Sequence, residues 1–102
     1  MKTVLIRAYL ILLTPISEQD DFKLLWGIVE HDETGRFQAG DYVCSSLVLE
    51  AKSNNTFITK NSTYQCTACP TELTLSQSSI VKLRLGVEPL LLYAERNQSI
   101  AY

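Results

Sequence analysis

Residues 41–68 constrain the fold more than any other part of the chain, because short β-forming runs alternate there with Asn-rich turns. The runs are "DYVCSSLVLEAK", "TFIT" and "TYQCTA", and "SNN" and "KNS" separate them. β-branched and aromatic residues favour strands, whereas asparagine and serine favour tight turns. We therefore predict a β meander within a mainly β (α+β) fold that has five or so strands and one or two short helices. The expected architecture is a small meander or an SH3-like open barrel.

The N-terminal run "TVLIRAYLILL" predicts a strand that is partly buried on both faces and ends at Pro15. A signal peptide is the alternative, since Lys2 precedes an apolar stretch that leads into small residues. Arg7 interrupts that stretch, and the uncharged remainder is far too short to cross a bilayer. The strand is favoured, and no membrane association is expected.

The number of cysteines and the possible glycosylation sites bear on the compartment. Sequons at Asn54, Asn61 and Asn97 would matter in a secreted eukaryotic protein, but asparagine, serine and threonine also build turns. An odd count of three cysteines fits a reducing compartment better than a disulfide scaffold. These features predict a cytoplasmic protein.

The segment "PISEQDDFKLLW" is typical of a helix start, with Ser17 as the N-cap residue. Four apolar residues share one helical face, namely Phe22, Leu25, Trp26 and Val29. Gly27 weakens the middle of this pattern. We predict a helix that ends near Trp26, and residues 27–31 are left open between helix and strand.

Two segments near the C-terminus are candidates for helices. For residues 78–85 the choice between helix and strand is left open: their apolar and charged residues alternate as in a strand, but Gly86 just after them would also suit the end of a short helix. "EPLLLYAERN" predicts a terminal helix with Pro89 in its first turn.

The spacing of Cys66 and Cys69 is that of half a zinc site. Zinc would also need Cys44 and perhaps His31, with no ligand to spare, and a bend at residues 67–68, since strand neighbours three apart face opposite ways. A redox pair would need a helix start in a βαβ context, which is missing here. Ordinary apolar packing of three thiols is the favoured interpretation, and no metal or cofactor is predicted.

The chain has 102 residues, which predicts a single domain over residues 1–102, and a net charge of −2. Its nine lysines and arginines are scattered, so direct nucleic-acid binding is not expected. The aromatic residues are better explained by core packing than by base stacking.

Six of the eleven acidic residues cluster in the first third, namely Glu18, Asp20, Asp21, Glu30, Asp32 and Glu33. A solvated face explains this cluster, and the sharper alternative is a surface that meets a basic partner, such as the nucleic-acid groove of an enzyme.

Catalytic patterns are weak. His31 stands next to Asp32 and Glu33, yet sequence neighbours rarely form a catalytic relay, and no G-x-S-x-G elbow or Gly-rich phosphate loop is present. We expect a solvated loop histidine and a protein that is not an enzyme.

Three segments carry a resemblance to a family. They are Trp26 with Val29, the run "GDYVCSS" at residues 40–46, and "TKNSTY" at residues 59–64. Together they resemble a family of small bacterial and phage domains of unknown function. The resemblance covers about a third of the chain, implies no catalytic residue, and points to a bacterial host. The C-x-x-C pair departs from the family's pattern.

Two functional hypotheses follow. The first is a small protein-binding module, of the kind a phage or mobile element encodes to inhibit a host defence enzyme by direct binding, with the six acidic residues as the contact surface. A homodimer is also left open. The second is a metal-stabilised interaction domain with zinc on Cys44, Cys66 and Cys69.

Overall fold

One sheet dominates the computed structural model, which describes residues 1–13 and 22–100. Within those residues the strands are β1 Thr3–Leu13, β2 Phe22–Asp32, β3 Tyr42–Cys44, β4 Val48–Lys52, β5 Thr56–Thr59, β6 Thr63–Cys66 and β7 Thr71–Leu75. A short 3-10 helix at Gln77–Ser79 leads into α1 Ile80–Arg84, and α2 spans Pro89–Ile100. The predicted mainly β class with short helices is confirmed.

The central strand is β1. It pairs antiparallel with β2 on one side, and on the other it pairs in parallel first with β6 and then with β7. The strands lie side by side in the order β3-β2-β1-β6-β5-β4, with β7 paired to β1 outside this path. The sheet is not closed. The predicted meander is present as β4, β5 and β6, with a turn at Asn54 and Asn55 in which both residues have positive φ.

A bulge at Arg7 divides β1 into two halves. Arg7 has a φ of 48°, and the register jumps there from Ile6↔Ile28 to Tyr9↔Trp26. One extra residue in a strand reverses the face on which all later side chains lie. Glycine at position 27, opposite the bulge, permits the close approach, since a Cβ there would lie 3.1 Å from Leu5 Cδ1.

Because successive side chains of a strand point to opposite faces, β1 contributes to two separate hydrophobic clusters. The inner cluster is lined by the meander and comprises Leu5, Leu10, Leu25, Val29, Val43, Phe57, Tyr64 and Cys66. The outer cluster lies under the helices and comprises Ile11, Leu13, Leu24, Trp26, Leu73, Leu75, Leu83 and Leu92. The two faces of the sheet are therefore both covered where β1 and β2 pair.

The predicted helix ending near Trp26 is wrong where the structure describes it, because residues 22–32 form β2. Leu25 and Val29 pack into the inner cluster, whereas Leu24 and Trp26 pack into the outer one. A strand buried on both faces is apolar at nearly every position, and such a run matches helical spacing by chance. Ser17 lies outside the described residues.

The open choice at residues 78–85 is decided for helix, with Gly86 at a φ of 96° just after α1. The terminal helix is present as α2, with Pro89 in its first turn as predicted. Strand β7 was not predicted from the sequence. In the described part of the chain, no helix has the length and apolar character needed to cross a membrane.

Candidate functional site

Several surface hollows meet at the connection between β3 and β4. One of them, here called the arginine cleft, has a volume of about 370 Å³. Its lining includes Arg36, Tyr42, Cys44, Ser46, Asn61 and Arg84. Arg36 comes from the loop after β2 and Arg84 from the end of α1, so the fold brings together parts of the chain that are distant in sequence.

The loop that carries Arg36 is organised by Asp32. The carboxylate of Asp32 accepts hydrogen bonds from the backbone N–H groups of Thr34, Arg36 and Phe37, and from the hydroxyls of Thr3 and Thr34. Partial burial alone would raise the pKa of Asp32, but these hydrogen bonds lower it well below its ordinary value. The loop is therefore held in one conformation by an ionised carboxylate.

The guanidinium of Arg36 is fixed by uncharged partners. Its Nε donates to Thr34 Oγ1 at 3.0 Å, and its Nη2 donates to Ser62 Oγ at 2.8 Å. Its Cζ lies 5.1 Å from the centroid of the Phe37 ring. A guanidinium has more N–H donors than these two bonds use, so Arg36 keeps donors for a ligand.

The opposite wall is held by two aromatic residues. The Trp26 indole N–H donates to the carbonyl of Leu83 at 3.2 Å, and the Tyr42 hydroxyl donates to the carbonyl of Arg84 at 2.6 Å. Both carbonyls belong to the last turn of α1, and the Leu83 carbonyl also accepts a hydrogen bond from the backbone N–H of Gly86 at 3.1 Å. The end of α1, and with it Arg84, is therefore attached to β2 and β3.

Cys44 lies between these walls. Burial raises the pKa of its thiol, and the positive charge of Arg84 offsets this only in part. The thiol is therefore protonated at neutral pH and is a weak nucleophile. The chemistry that the cleft offers is hydrogen bonding and positive charge.

Two apolar hollows adjoin the arginine cleft. One, of about 310 Å³, is lined by Leu24, Leu47 and Ile80 among others, and shares Arg84 and Ser46 with the cleft. The other, of about 250 Å³, is lined by Ser46, Leu47, Leu49 and Lys60. The side chains of Leu47 and Leu49 are 42% and 68% exposed. Strand β4 pairs only with β5 among the described strands, so this apolar surface borders a free sheet edge.

The structure does not bring the suggested zinc ligands together. Cys44 packs against the outer cluster and Cys66 belongs to the inner one, while Cys69 and His31 are exposed. Among the described residues, no group of three or more His, Cys, Asp or Glu side chains could hold a metal ion. The zinc hypothesis on Cys44, Cys66 and Cys69 therefore has no support in the geometry.

The C-x-x-C segment has a different role in the sheet. Strand β6 ends at Cys66 and β7 starts at Thr71, and both run alongside β1. Residues 67–70 therefore lie opposite residues 6–8, where β1 bulges. The segment joins two strands across an irregularity of their common neighbour.

The acidic residues are divided. Glu18, Asp20 and Asp21 lie outside the described residues. The Asp32 carboxylate is used for hydrogen bonds to the backbone of the loop that follows it. Glu30 and Glu33 are exposed, and Glu33 accepts a hydrogen bond from the Lys2 backbone N–H. The contact surface predicted on the acidic residues thus includes one internal structural residue.

The three segments that carry the family resemblance meet at the arginine cleft. Residues 42–46 of one segment and residues 61, 62 and 64 of another line it, and Trp26 stacks on Tyr42. The two arginines were missed from the sequence, because single exposed arginines outside any motif give no local signal. The comparisons add no family: neither protein-family models, nor curated proteins, nor solved structures match this chain.

Proposed function

We propose that this chain is a small protein-binding module that acts by direct contact with another protein. The observation that carries the proposal is the exposure of Leu49, at 68%, on an edge strand, where Leu49 lines one apolar hollow and nearby Leu47 lines both. Large apolar side chains grouped around a concave surface are typical of sites that bind a partner.

The free edge of β4 supports the same proposal. An unpaired strand presents backbone N–H and C=O groups that a second strand can pair with. Lys52 at the end of β4 is the kind of charged residue that limits nonspecific pairing. The combination favours a partner that supplies both an extended segment and an apolar side chain.

The family resemblance implies a bacterial or phage origin but no activity, and the kind of partner is our proposal from that origin. We propose a phage or mobile-element protein that inhibits a host enzyme in the bacterial cytoplasm by covering part of its surface. A basic partner surface would be met by Glu30 and Glu33, which stay exposed. The residues that we assign to the main contact are Leu47 and Leu49.

The test compares Leu49→Asp with Leu91→Asp. Leu91 is also an exposed leucine, at 58%, but lies on α2 away from the apolar hollows. Each tagged variant is used to capture proteins from a bacterial lysate, with the native mass of the chain measured in parallel. We expect a protein that is retained by the wild type and by Leu91→Asp but lost with Leu49→Asp.

A homodimer that dissociates only with Leu49→Asp would identify the partner as a second copy of the chain. Capture that is equal for the two variants would contradict the assignment of the surface. A monomer that captures nothing specific in any form would contradict protein binding itself.

A further inference from the structure

We propose that the arginine cleft binds a single oxyanionic group, a carboxylate or a phosphate, carried by a small ligand or by a side chain of a partner. The proposal goes beyond the apolar contact at Leu49 and does not depend on it. It rests on the charge, the rigidity and the size of the cleft.

The charge of the cleft is positive and uncompensated. Arg36 and Arg84 both line it, and no aspartate or glutamate does. Among the side chains of residues 1–13 and 22–94, the polar partners of the Arg36 guanidinium are the hydroxyls of Thr34 and Ser62, and neither arginine forms an ion pair. Two guanidinium groups that face one concave space favour an anion there, because their fork of N–H donors matches carboxylate and phosphate oxygens.

Hydrogen bonds within the protein hold the Arg36 side chain and the backbone of both walls in place before any ligand arrives. The Asp32 carboxylate fixes the backbone at Arg36, and the hydroxyl of Ser62 fixes its side chain. On the other side, the Tyr42 hydroxyl holds the backbone carbonyl of Arg84. A site that is ordered in advance loses less entropy on binding, which increases its affinity.

The neighbouring polar groups complete the site. Ser46 and Asn61 line the cleft and supply uncharged donors. A cleft of about 370 Å³ is larger than one carboxylate or phosphate needs, so it leaves room for the group that carries the anion. Tyr42 and Phe37 offer that group an aromatic wall.

The experiment titrates inorganic phosphate, and separately acetate, into the full ¹⁵N-labelled chain at constant ionic strength. Chloride at the same ionic strength is the reference. We expect saturable shifts of the backbone amides of residues 42–46 and 61–62. Tighter binding of phosphate than of acetate would identify a phosphoryl ligand, whereas acetate binding that is as tight or tighter would identify a carboxylate-type ligand such as an acidic side chain.

Three variants make the test specific. Arg84→Gln and Arg36→Gln should each weaken binding by roughly tenfold or more, since each removes a charged donor. Arg84→Lys retains the charge without the fork and should lie in between. Lys60→Gln removes a positive charge from the adjacent apolar hollow, outside the cleft, and should leave the affinity unchanged.

Shifts that do not saturate would overturn the proposal. So would equal losses in Lys60→Gln and Arg84→Gln, because they would reveal nonspecific attraction to positive charge. The amide spectrum of each variant without anion checks that the fold is retained. A failure here leaves the contact at Leu49 untouched, because its test uses different residues and a different readout.

Discussion

Tyr42 stacks on Trp26, with ring centroids 6.1 Å apart and planes inclined by 16°. Trp26 is buried in the outer cluster, whereas Tyr42 is 40% exposed and lines the arginine cleft. The stack therefore links the core directly to the candidate site. Substitutions that move the Tyr42 ring should affect both stability and binding.

Gly86 tests this link. A Cβ at Gly86 would lie 2.9 Å from Cε1 of Tyr42, and the backbone there has a φ of 96°. Gly86→Ala should lower the free energy of unfolding by about 2–4 kcal/mol, the sum of backbone strain and a clash. Gly35→Ala is the matched control, because Gly35 has a φ of 78° but no atom within 4 Å of its Cβ position.

The control should lose only about 1 kcal/mol, which is the backbone term alone. Urea unfolding followed by the fluorescence of Trp26 measures both variants. Equal losses would show that the ring of Tyr42 moves aside at no cost.

The stabilising contribution of Asp32 should be lost in acid. Hydrogen bonds hold its pKa well below the ordinary value in the folded state. A carboxyl whose pKa is lowered on folding stabilises the protein above its unfolded pKa, and that stability is lost as the pH falls towards the folded pKa. Between about pH 5 and pH 2, Asp32→Asn should therefore lose less stability than the wild type.

Glu30→Gln provides the comparison, since Glu30 is an exposed carboxyl on the same strand. Urea midpoints measured across this pH range should follow the wild type for Glu30→Gln. An acid dependence in Asp32→Asn as steep as that of the wild type would show that other carboxyls dominate.

Arg7 should tolerate glycine but not valine. Its φ of 48° lies in the left-handed region, which glycine adopts freely and β-branched residues adopt at the greatest cost. Arg7→Gly should be more stable than Arg7→Ala by up to about 1–2 kcal/mol, and Arg7→Val should be the least stable of the three. Thermal unfolding of the three variants gives this order, and the opposite order would contradict a bulge at this position.

The cysteines should react in the order of their exposure. Cys69 is exposed, Cys44 is half-buried, and burial together with the nearby Cys69 raises the pKa of Cys66 to about 11. Iodoacetamide at about pH 8 should therefore label Cys69 first and Cys66 last. Mass spectrometry of the labelled peptides measures the order, and in urea all three should react alike. Rapid labelling of Cys66 in the folded protein would contradict its burial.

Local patterns predicted the parts of the fold that depend on local interactions. The strand "TVLIRAYLILL", the turn at Asn54 and Asn55 and the helix that begins at Pro89 were read from residue preferences alone. Strand β7 was missed because it pairs in parallel with a strand some sixty residues earlier, at Tyr9↔Thr71. The arginine cleft was missed for the same reason, because Arg36 and Arg84 are far apart in the sequence and no motif connects them.

The error at β2 has a similar origin. Whether "FKLLWGIV" forms a helix or a strand depends on how many faces are covered, and this is decided by β1, the meander and the helices together. The sequence pattern alone gives one stripe of apolar residues where the folded sheet requires two.

The bulge in β1 and the segment "TACP", which joins β6 to β7, are matched irregularities in neighbouring parts of the sheet. Residues 6–8 on one side span the gap that residues 67–70 span on the other, between the pairs Leu5↔Cys66 and Tyr9↔Thr71. The length of each segment is therefore tolerable only in the presence of the other. Insertions or deletions in either one should be accepted in related sequences chiefly as compensated pairs, and the two cysteines mark where that compensation takes place.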